Sequence, residues 1–226
     1  LAEAFAYCFS NKKRIEKDKI FDYLRNHRGF LALVVTYLKD ESKLRQGLYR
    51  AFLASAPDLA LPFTMIKDSI CYTGMEPSFI NYDFAPFISG MEDSRFSRDV
   101  SNEYYMVGKM SFDKGITGIL YKSVMIIADT LPPVEVKMAV FDSMGNLLDE
   151  KIFAQFELPA ILITGTIGAD KTISILEYKM KWKSDPLENG YAGNEYQGEE
   201  FVSEEKLVLG ADGKLIPSSK DPVAKK

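Results

Sequence analysis

Apolar and polar residues alternate through the first part of PVEVKMAVFDSMGNLLDEKIFAQF, which runs from Pro133 to Phe156. Successive side chains of a β-strand point to opposite faces, so this alternation predicts a strand with one apolar face. Asp142, Gly145 and Asn146 then interrupt the pattern with residues that accept turn conformations. A second extended run begins at Leu147, and the whole stretch is therefore predicted to form a β-hairpin.

The same pattern recurs on both sides of this hairpin, which predicts an antiparallel β domain over residues 103–217. The flanking hairpins are expected from Glu103 to Ile127 around the turn Asp113–Gly115, from Pro159 to Trp182 around Gly168–Lys171, and from Phe201 to Ile216 around Gly210–Gly213. Each turn contains Gly and Asp, the residues that such turns favour. The last residues, 218–226, are expected to form a frayed tail.

Two details of side-chain direction follow from the alternation. Tyr104, Met106, Met110 and Phe112 are expected to share one strand face. The strand over 172–182 changes phase near its middle, because Ile173 and Ile175 occupy one phase while Leu176, Tyr178, Met180 and Trp182 occupy the other. This change predicts a β-bulge, which adds one residue and redirects the strand.

Residues 1–56 are predicted to form a helical N-terminal segment. Leu44, Leu48 and Phe52 recur every four residues, which predicts a helix from about Asp40 to Ala56. Another helix is expected over Ile15 to Leu24, whereas Phe30 to Leu38 fits either a strand or a buried helix. Residues 57–102 then form an aromatic-rich, irregular connection that is expected to pack on the core, because large apolar side chains are costly to leave in water.

The predicted fold class is α+β: an N-terminal helical segment followed by an antiparallel β-meander. A meander limits its exposed edges by closing into a barrel or by packing as a sandwich, and the sequence leaves both arrangements open.

Composition and charge limit the classes of function. The chain has 226 residues, 46% of them hydrophobic and 27% charged, which is typical of a globular protein. A net charge of -4 predicts no nucleic-acid partner. Basic residues dominate between Asn11 and Arg50, and acidic residues dominate between Asp185 and Asp212. These stretches form two solvated faces, or they dock with each other, or each attracts a partner of opposite charge. No membrane-spanning segment is predicted, because the apolar run Phe30–Leu38 is far shorter than the roughly 20 residues required.

The two cysteines, Cys8 and Cys71, are either joined in a disulfide or remain two buried free thiols. The chain begins at Leu1 rather than Met. A removed signal sequence or a trimmed chain would each explain that start.

The chain lacks the residues that most catalytic sites need. His27 is the single histidine, and no zinc, phosphate-loop or dinucleotide motif occurs, so the sequence predicts no catalytic residues, metal site or cofactor. Paired carboxylates remain an alternative, because glycoside hydrolysis requires only two suitably spaced acids. Glu150, Glu177 and Glu205 are the candidates for a glycan hydrolase, unless each simply points outward from its strand.

The segment Trp182 to Phe201 is the candidate contact surface. Aromatic faces and amides combine flat apolar area with directional hydrogen bonds, as recognition surfaces for peptides and sugars do. The alternative is a polar hairpin loop whose aromatics pack back on the sheet. The residues proposed to contact a ligand or partner are Trp182, Tyr191, Asn194, Tyr196 and Phe201.

Three stretches carry a resemblance: Leu59-Ala60-Leu61-Pro62-Phe63, the hairpin strand Tyr104 to Phe112, and the turn from Phe141-Asp142 to Asn146-Leu147. Here the chain resembles uncharacterised bacterial cell-envelope proteins that contain a β-meander. The resemblance implies export from the cytoplasm and an extracytoplasmic location, whether periplasmic, surface-bound or secreted. It implies no catalytic residue, and it does not extend to residues 1–56.

Three functional hypotheses follow. The first is a non-enzymatic, extracytoplasmic binding or interaction protein with a protein or glycan partner, using the segment Trp182–Phe201. The second is a carrier that holds a small apolar ligand inside a β-barrel. The third is the carboxylate-dependent glycan hydrolase.

Overall fold

A single antiparallel sheet of ten strands forms most of the structure. The computed structural model describes residues 18–19, 22–25, 41–71, 78–91, 102–125, 133–190 and 193–218. The strands are β1 (Phe63–Met65), β2 (Ser78–Phe79), β3 (Asn102–Ser111), β4 (Thr117–Met125), β5 (Val134–Phe141), β6 (Leu147–Glu157), β7 (Ile161–Ile167), β8 (Ile173–Trp182), β9 (Tyr196–Leu209) and β10 (Leu215–Pro217). From β2 to β10 each strand pairs with the next along the chain. The predicted antiparallel meander is therefore confirmed.

Helices are few in the described ranges. They are α1 (Asp22–Arg25), α2 (Glu41–Ser55), α3 (Lys67–Cys71) and α4 (Pro186–Asn189), with 3-10 helices at Tyr82–Phe87 and Asp113–Gly115. The fold is thus better described as β-rich than as an even mixture of helix and sheet. The sheet is also not closed, since β2 and β10 end the strand order and do not pair with each other.

The central hairpin forms as the alternation predicts. β5 and β6 pair from Val134 with Phe156 to Phe141 with Leu147, and the register shifts once after Val136 and once after Val140. At the turn, the Asp142 carboxylate accepts hydrogen bonds from the backbone N–H groups of Met144 and Asn146, both at 2.8 Å. Gly145 has a φ of 83°, a left-handed conformation that glycine adopts without strain.

Bulges redirect the strands at two places where side-chain direction was predicted. In β3, a register shift between Met106 and Gly108 leaves Val107 as an extra residue. Tyr104 and Met106 therefore enter one core cluster and Met110 the other, so the prediction of one shared face was wrong. The pairing of β8 with β9 shifts between Glu177 and Tyr178, but the extra residue there is Val202 of β9, so the bulge predicted within the strand over 172–182 was wrong.

Two hydrophobic clusters cover the two faces of the middle of the sheet. In β4, Leu120 belongs to the first cluster while Ile119 and Tyr121 belong to the second. The second cluster includes Phe52 of α2, whose ring stacks on Phe87 with the ring centres 5.2 Å apart. The helix predicted from about Asp40 to Ala56 is thus confirmed, and Leu48 and Phe52 of its apolar stripe are buried in the second cluster.

Among the strands from β3 to β9, the shortest pairing is that of β6 with β7. These strands share three residue pairs, from Gln155 with Ile163 to Glu157 with Ile161. Beyond them the same edge of β7 pairs with β1, and Gly165 lies so close to β6 that a Cβ there would be 2.4 Å from the Phe153 carbonyl oxygen. A glycine is needed here for close approach rather than for its backbone angles.

The C-terminal hairpin returns to the middle of the sheet. The Leu215 backbone N–H donates to Asp149 of β6 at 2.7 Å. Lys151 and Glu205 form an ion pair at 2.8 Å between β6 and β9. The last strand, β10, therefore lies against β6 as well as against β9.

Several predictions concern residues that the structure does not describe. Cys8, Phe30–Leu38, His27, Tyr191 and residues 219–226 lie outside the described ranges, so the disulfide remains untested. Of the helix predicted over Ile15–Leu24, the structure describes residues 18–19 and 22–24, and only the latter are α-helical, in α1. None of the helices in the described ranges has the length and apolarity that crossing a bilayer requires.

Candidate functional site

Four aromatic side chains lie on neighbouring strands β8 and β9. Tyr178 pairs across the strands with Phe201, and Trp182 with Tyr196. Ring centres are 6.0 Å apart in the first pair and 5.4 Å in the second, and both pairs meet edge to face. Tyr178 and Trp182 are four residues apart in β8, so they share one face of the strand. We call these four residues the aromatic face.

The aromatic face is partly open to solvent. Phe201 is 52% exposed and Tyr196 is 37% exposed, with Val202 beside them at 52%. Trp182 is half-buried, and its indole N–H donates to the Pro159 carbonyl oxygen at 2.9 Å. Trp182 and Leu187 also line an open hollow of about 510 Å³ next to this face. The surface thus combines exposed aromatic area with rings held in place by cross-strand packing.

Lys67 of α3 crosses over the aromatic face. Its ammonium nitrogen lies 4.0 Å from the centre of the Tyr196 ring and 3.3 Å from Glu199 Oε1. The Tyr196 hydroxyl donates to the same carboxylate oxygen at 2.5 Å. The Tyr196 hydrogen bond and Lys67 together lower the pKa of Glu199, outweighing the opposite effect of its partial burial. These charge-assisted contacts fix the orientation of the Tyr196 ring.

Asn194 lies in the loop between β8 and β9 and bonds to residues of that loop. Its side-chain oxygen accepts hydrogen bonds from the backbone N–H and the hydroxyl of Ser184, each at 3.2 Å. Its amide nitrogen donates to the carbonyl oxygens of Ser184 at 2.8 Å and Gly190 at 3.4 Å. The amide therefore closes the loop between β8 and β9, and its hydrogen-bonding groups are already engaged.

The segment Trp182–Phe201 is a loop only in part. Its described residues include α4 at Pro186–Asn189, and β9 begins at Tyr196, earlier than the predicted start at Phe201. The structure thus brings Trp182, Tyr196 and Phe201 to one surface and assigns Asn194 to the loop. The sequence does not predict the contact of Lys67 with β9, because the two are far apart in the chain and no residue near Lys67 signals it.

Lysines offset the acidic residues of this region. Glu195, Glu200 and Glu204 lie 3.6, 3.1 and 3.4 Å from Lys183, Lys181 and Lys206, respectively. Glu199 and Glu205 have Lys67 and Lys151. Much of the acidic stretch is therefore paired locally, through exposed ion pairs that contribute little to stability.

The three candidate carboxylates have separate surroundings. Glu150 accepts hydrogen bonds from the hydroxyls of Ser89 at 2.5 Å and Tyr121 at 2.6 Å, with Lys137 at 3.9 Å. Glu177 accepts from Ser203 at 3.0 Å, and Glu205 pairs with Lys151. Burial, followed by the hydrogen bond to Glu150, raises the pKa of Tyr121 well above its ordinary value. Tyr121 thus stays protonated and serves as a hydrogen-bond donor to Glu150.

A second concave site lies where three turns meet. Its volume is about 320 Å³, and it lies among the turns of the β3–β4, β7–β8 and β9–β10 hairpins. We call it the turn pocket; it is lined by Phe112, Asp113, Lys114, Ile116, Asp170, Lys171, Val208, Leu209, Gly210 and Ala211. Within the parts of the chain that the structure describes, no three His, Cys, Asp or Glu side chains are grouped as metal ligands.

Comparisons with protein-family models, with curated proteins and with solved structures gave no match.

Proposed function

We propose that this is a non-enzymatic, extracytoplasmic binding protein whose contact surface is the aromatic face. The observation that carries the proposal is the grouping of Tyr178, Trp182, Tyr196 and Phe201 into two cross-strand pairs on a surface where Phe201 is 52% exposed. Exposed aromatic anchors on a rigid support provide large contact area at low entropic cost.

The favoured partner is a protein segment with apolar side chains. Sugar recognition usually combines aromatic faces with free amide and carboxylate groups that bond to hydroxyls. Here the Asn194 amide is bonded to Ser184 and Gly190, and Glu199 is bonded to Tyr196 and Lys67. An apolar segment needs none of these groups. The extracytoplasmic location rests on the resemblance to cell-envelope proteins.

The test compares binding of peptides and of glycans by matched variants. The intact protein is used to select from a random-peptide phage library and is applied in parallel to a glycan array. For the peptides selected, changing Tyr196 and Phe201 to Ala together should reduce affinity at least about tenfold, as loss of aromatic anchors does.

Phe79 supplies the control. It is 53% exposed, packs edge to face on Tyr105 at 6.0 Å, and belongs to β2, at the opposite end of the strand order from β9 and β10. Phe79→Ala removes a similar exposed ring and should leave affinity unchanged. Equal losses in both variants, no loss in the double variant, or binding to glycans alone would each overturn the proposal.

A further inference from the structure

Three turns of the chain share one hydrogen-bond pattern, and one of them differs in a single residue. In the turns that begin at Asp142, Gly168 and Gly210, the first residue's N–H donates to the fifth residue's carbonyl oxygen, and the fourth residue's N–H donates to the first residue's carbonyl oxygen. The fourth residue is left-handed in all three. It is Gly145 at φ 83° and Gly213 at φ 82°, but Lys171 at φ 64°.

A lysine at this position is unfavourable for the backbone. A side chain in the left-handed region crowds the neighbouring peptide groups, which is why glycine or asparagine normally occupies it. The turns Gly168–Lys171 and Gly210–Gly213 are otherwise identical in their first three residues, Gly-Ala-Asp. The equivalent position is glycine in the other two turns, so the turn itself does not require a lysine there. The presence of Lys171 therefore needs an explanation other than turn formation.

A second lysine, in another turn, is also left-handed. Lys114, in the β3–β4 turn, has a φ of 59°. Among the residues that the structure describes, Lys114 and Lys171 are the only ones other than glycine with positive φ. Both line the turn pocket. Unfavourable backbone conformations that gather at one concave site point to a role for the side chains there.

The turn pocket has an apolar floor beside these cations. Phe112, Ile116, Val208 and Leu209 line it and are each half-buried. The Lys171 ammonium lies 6.0 Å from the centre of the Phe112 ring, so its charge is next to this floor. A volume of about 320 Å³ lies at the small end of the range for ligand pockets.

Two aspartates, Asp113 and Asp170, line the pocket together with the two lysines, so the lining has no excess of positive charge. The Asp170 carboxylate accepts hydrogen bonds from the Thr172 N–H at 3.0 Å and the Thr172 hydroxyl at 2.9 Å. Asp170 is thus engaged in closing its own turn. Asp113 is exposed at the rim.

We propose that the turn pocket binds a small amphipathic anion, with an aromatic or short aliphatic body on Phe112, Ile116 and Leu209 and its anionic group bound by Lys114 and Lys171. Carboxylate, phosphate and sulfonate groups share the required chemistry. The turn pocket lies at the N-terminal end of β8, whereas the aromatic face lies near its C-terminal end. The proposal therefore does not depend on the aromatic face.

The test uses naphthalene-1-sulfonate, 1-naphthoate and naphthyl phosphate as anionic probes and 1-naphthylmethanol as a neutral one, each titrated into the full chain and followed by calorimetry and by NMR shifts. The anions should bind at least about tenfold more tightly than the alcohol. Changing Lys114 and Lys171 together to Asn should remove that preference. The ranking of the three anions distinguishes a carboxylate from a phosphate ligand.

Asparagine makes the variant informative about folding as well. It is uncharged but tolerates left-handed backbone, so the thermal unfolding midpoint of the double variant should be equal to or above that of the original chain. Loss of binding could then not be ascribed to unfolding. Lys214→Ala is the control. Lys214 follows the β9–β10 turn but does not line the pocket, so this change removes a nearby positive charge without altering the lining.

Three outcomes would overturn the proposal. The first is equal affinity for the neutral and the anionic naphthyl compounds, and the second is anion binding that survives the double Asn change. The third is an equal loss of binding in Lys214→Ala, which would show that general surface charge suffices.

Discussion

Among single residues, Glu150 is the candidate carboxylate whose surroundings are most strongly organised. Its two oxygens accept the hydroxyls of Tyr121 and Ser89, and the Tyr121 side chain is fully buried in the second core cluster. A buried hydroxyl needs an acceptor, because leaving it without one costs more free energy than an average hydrogen bond contributes. The geometry therefore gives Glu150 a role in stability.

Glu150→Ala should lower the free energy of unfolding by about 1–3 kcal/mol, because the Tyr121 and Ser89 hydroxyls lose the carboxylate that accepts both of them. The two hydroxyls lie 2.8 Å apart, and at most one of them can then donate to the other. Urea unfolding measures the change. Tyr121→Phe in the Glu150→Ala background should then restore part of the loss.

Glu177→Ala is the matched control. Glu177 is exposed and accepts one hydrogen bond from Ser203, so its loss should change stability by no more than about 0.5 kcal/mol. A Glu150→Ala protein as stable as the Glu177→Ala protein would contradict this account of the network.

At the scale of elements, the hairpin turns link sequence to fold most directly. The Asp142 carboxylate closes the β5–β6 turn by accepting from the Asn146 side chain and from the backbone N–H groups of Met144 and Asn146. Although burial acts in the opposite direction, these hydrogen bonds lower the pKa of Asp142. A carboxylate with a lowered pKa stabilises the fold when it is ionised.

The sign of this effect predicts a dependence on pH. The stabilisation from Asp142 is complete above the unfolded-state pKa, about 3.9, and is lost as the pH falls through the lower pKa of the folded state. The gap in unfolding free energy between the original chain and Asp142→Asn should thus narrow below about pH 4. Urea unfolding at pH 7 and pH 3 measures it. A gap that is constant or wider at pH 3 would rule out a role for the ionised carboxylate.

Local patterns predicted the hairpins and helix α2 because their information lies within a few residues. Alternation and the turn residues around Asp142 and Gly168 suffice to place the strands. The start of β9 at Tyr196 was missed because the run through Gln197, Gly198, Glu199 and Glu200 is polar and does not alternate. In β3, the bulge at Val107 has no local signature, since its cause is pairing with β4.

The candidate sites could be predicted only in part for the same reason. The aromatic and amide-rich composition of the segment Trp182–Phe201 predicted Trp182, Tyr196 and Phe201 as contact residues, and the pairing of β8 with β9 brings them together. Lys67 reaches Tyr196 through tertiary packing, and the turn pocket needs three turns that are far apart in sequence. The positive φ of Lys171 is also not visible in a turn whose composition resembles that of its neighbours.

At the scale of the whole molecule, β4 and β5 lie between the two hydrophobic clusters. Both strands have neighbours on each side in the sheet, and they supply residues to each cluster, as Leu120 and Ile119 do in β4. The amides of β4 and β5 should therefore exchange with deuterium most slowly, because their opening requires loss of both clusters. Those of β10 and β2, the ends of the strand order, should exchange fastest.

Hydrogen exchange resolved by residue tests this order. Ile119 and Leu120 in β4 and Val136 and Val140 in β5 report on the centre, and Ile216 reports on the edge. Slowest exchange in β8 and β9 would instead place the most stable part of the molecule at the aromatic face.

Among the pairings that join β3 to β9, that of β6 with β7 also has the least to resist a mechanical load: it has three residue pairs, whereas β7 with β8 has seven and β4 with β5 has eight. If β3 and β9 were pulled apart, the tension across this line would act on those three pairs and on the contacts of Leu215 and Glu205 with β6. Rupture there would leave two ribbons, one held by α2 and its aromatic cluster and the other carrying Trp182 and Phe201.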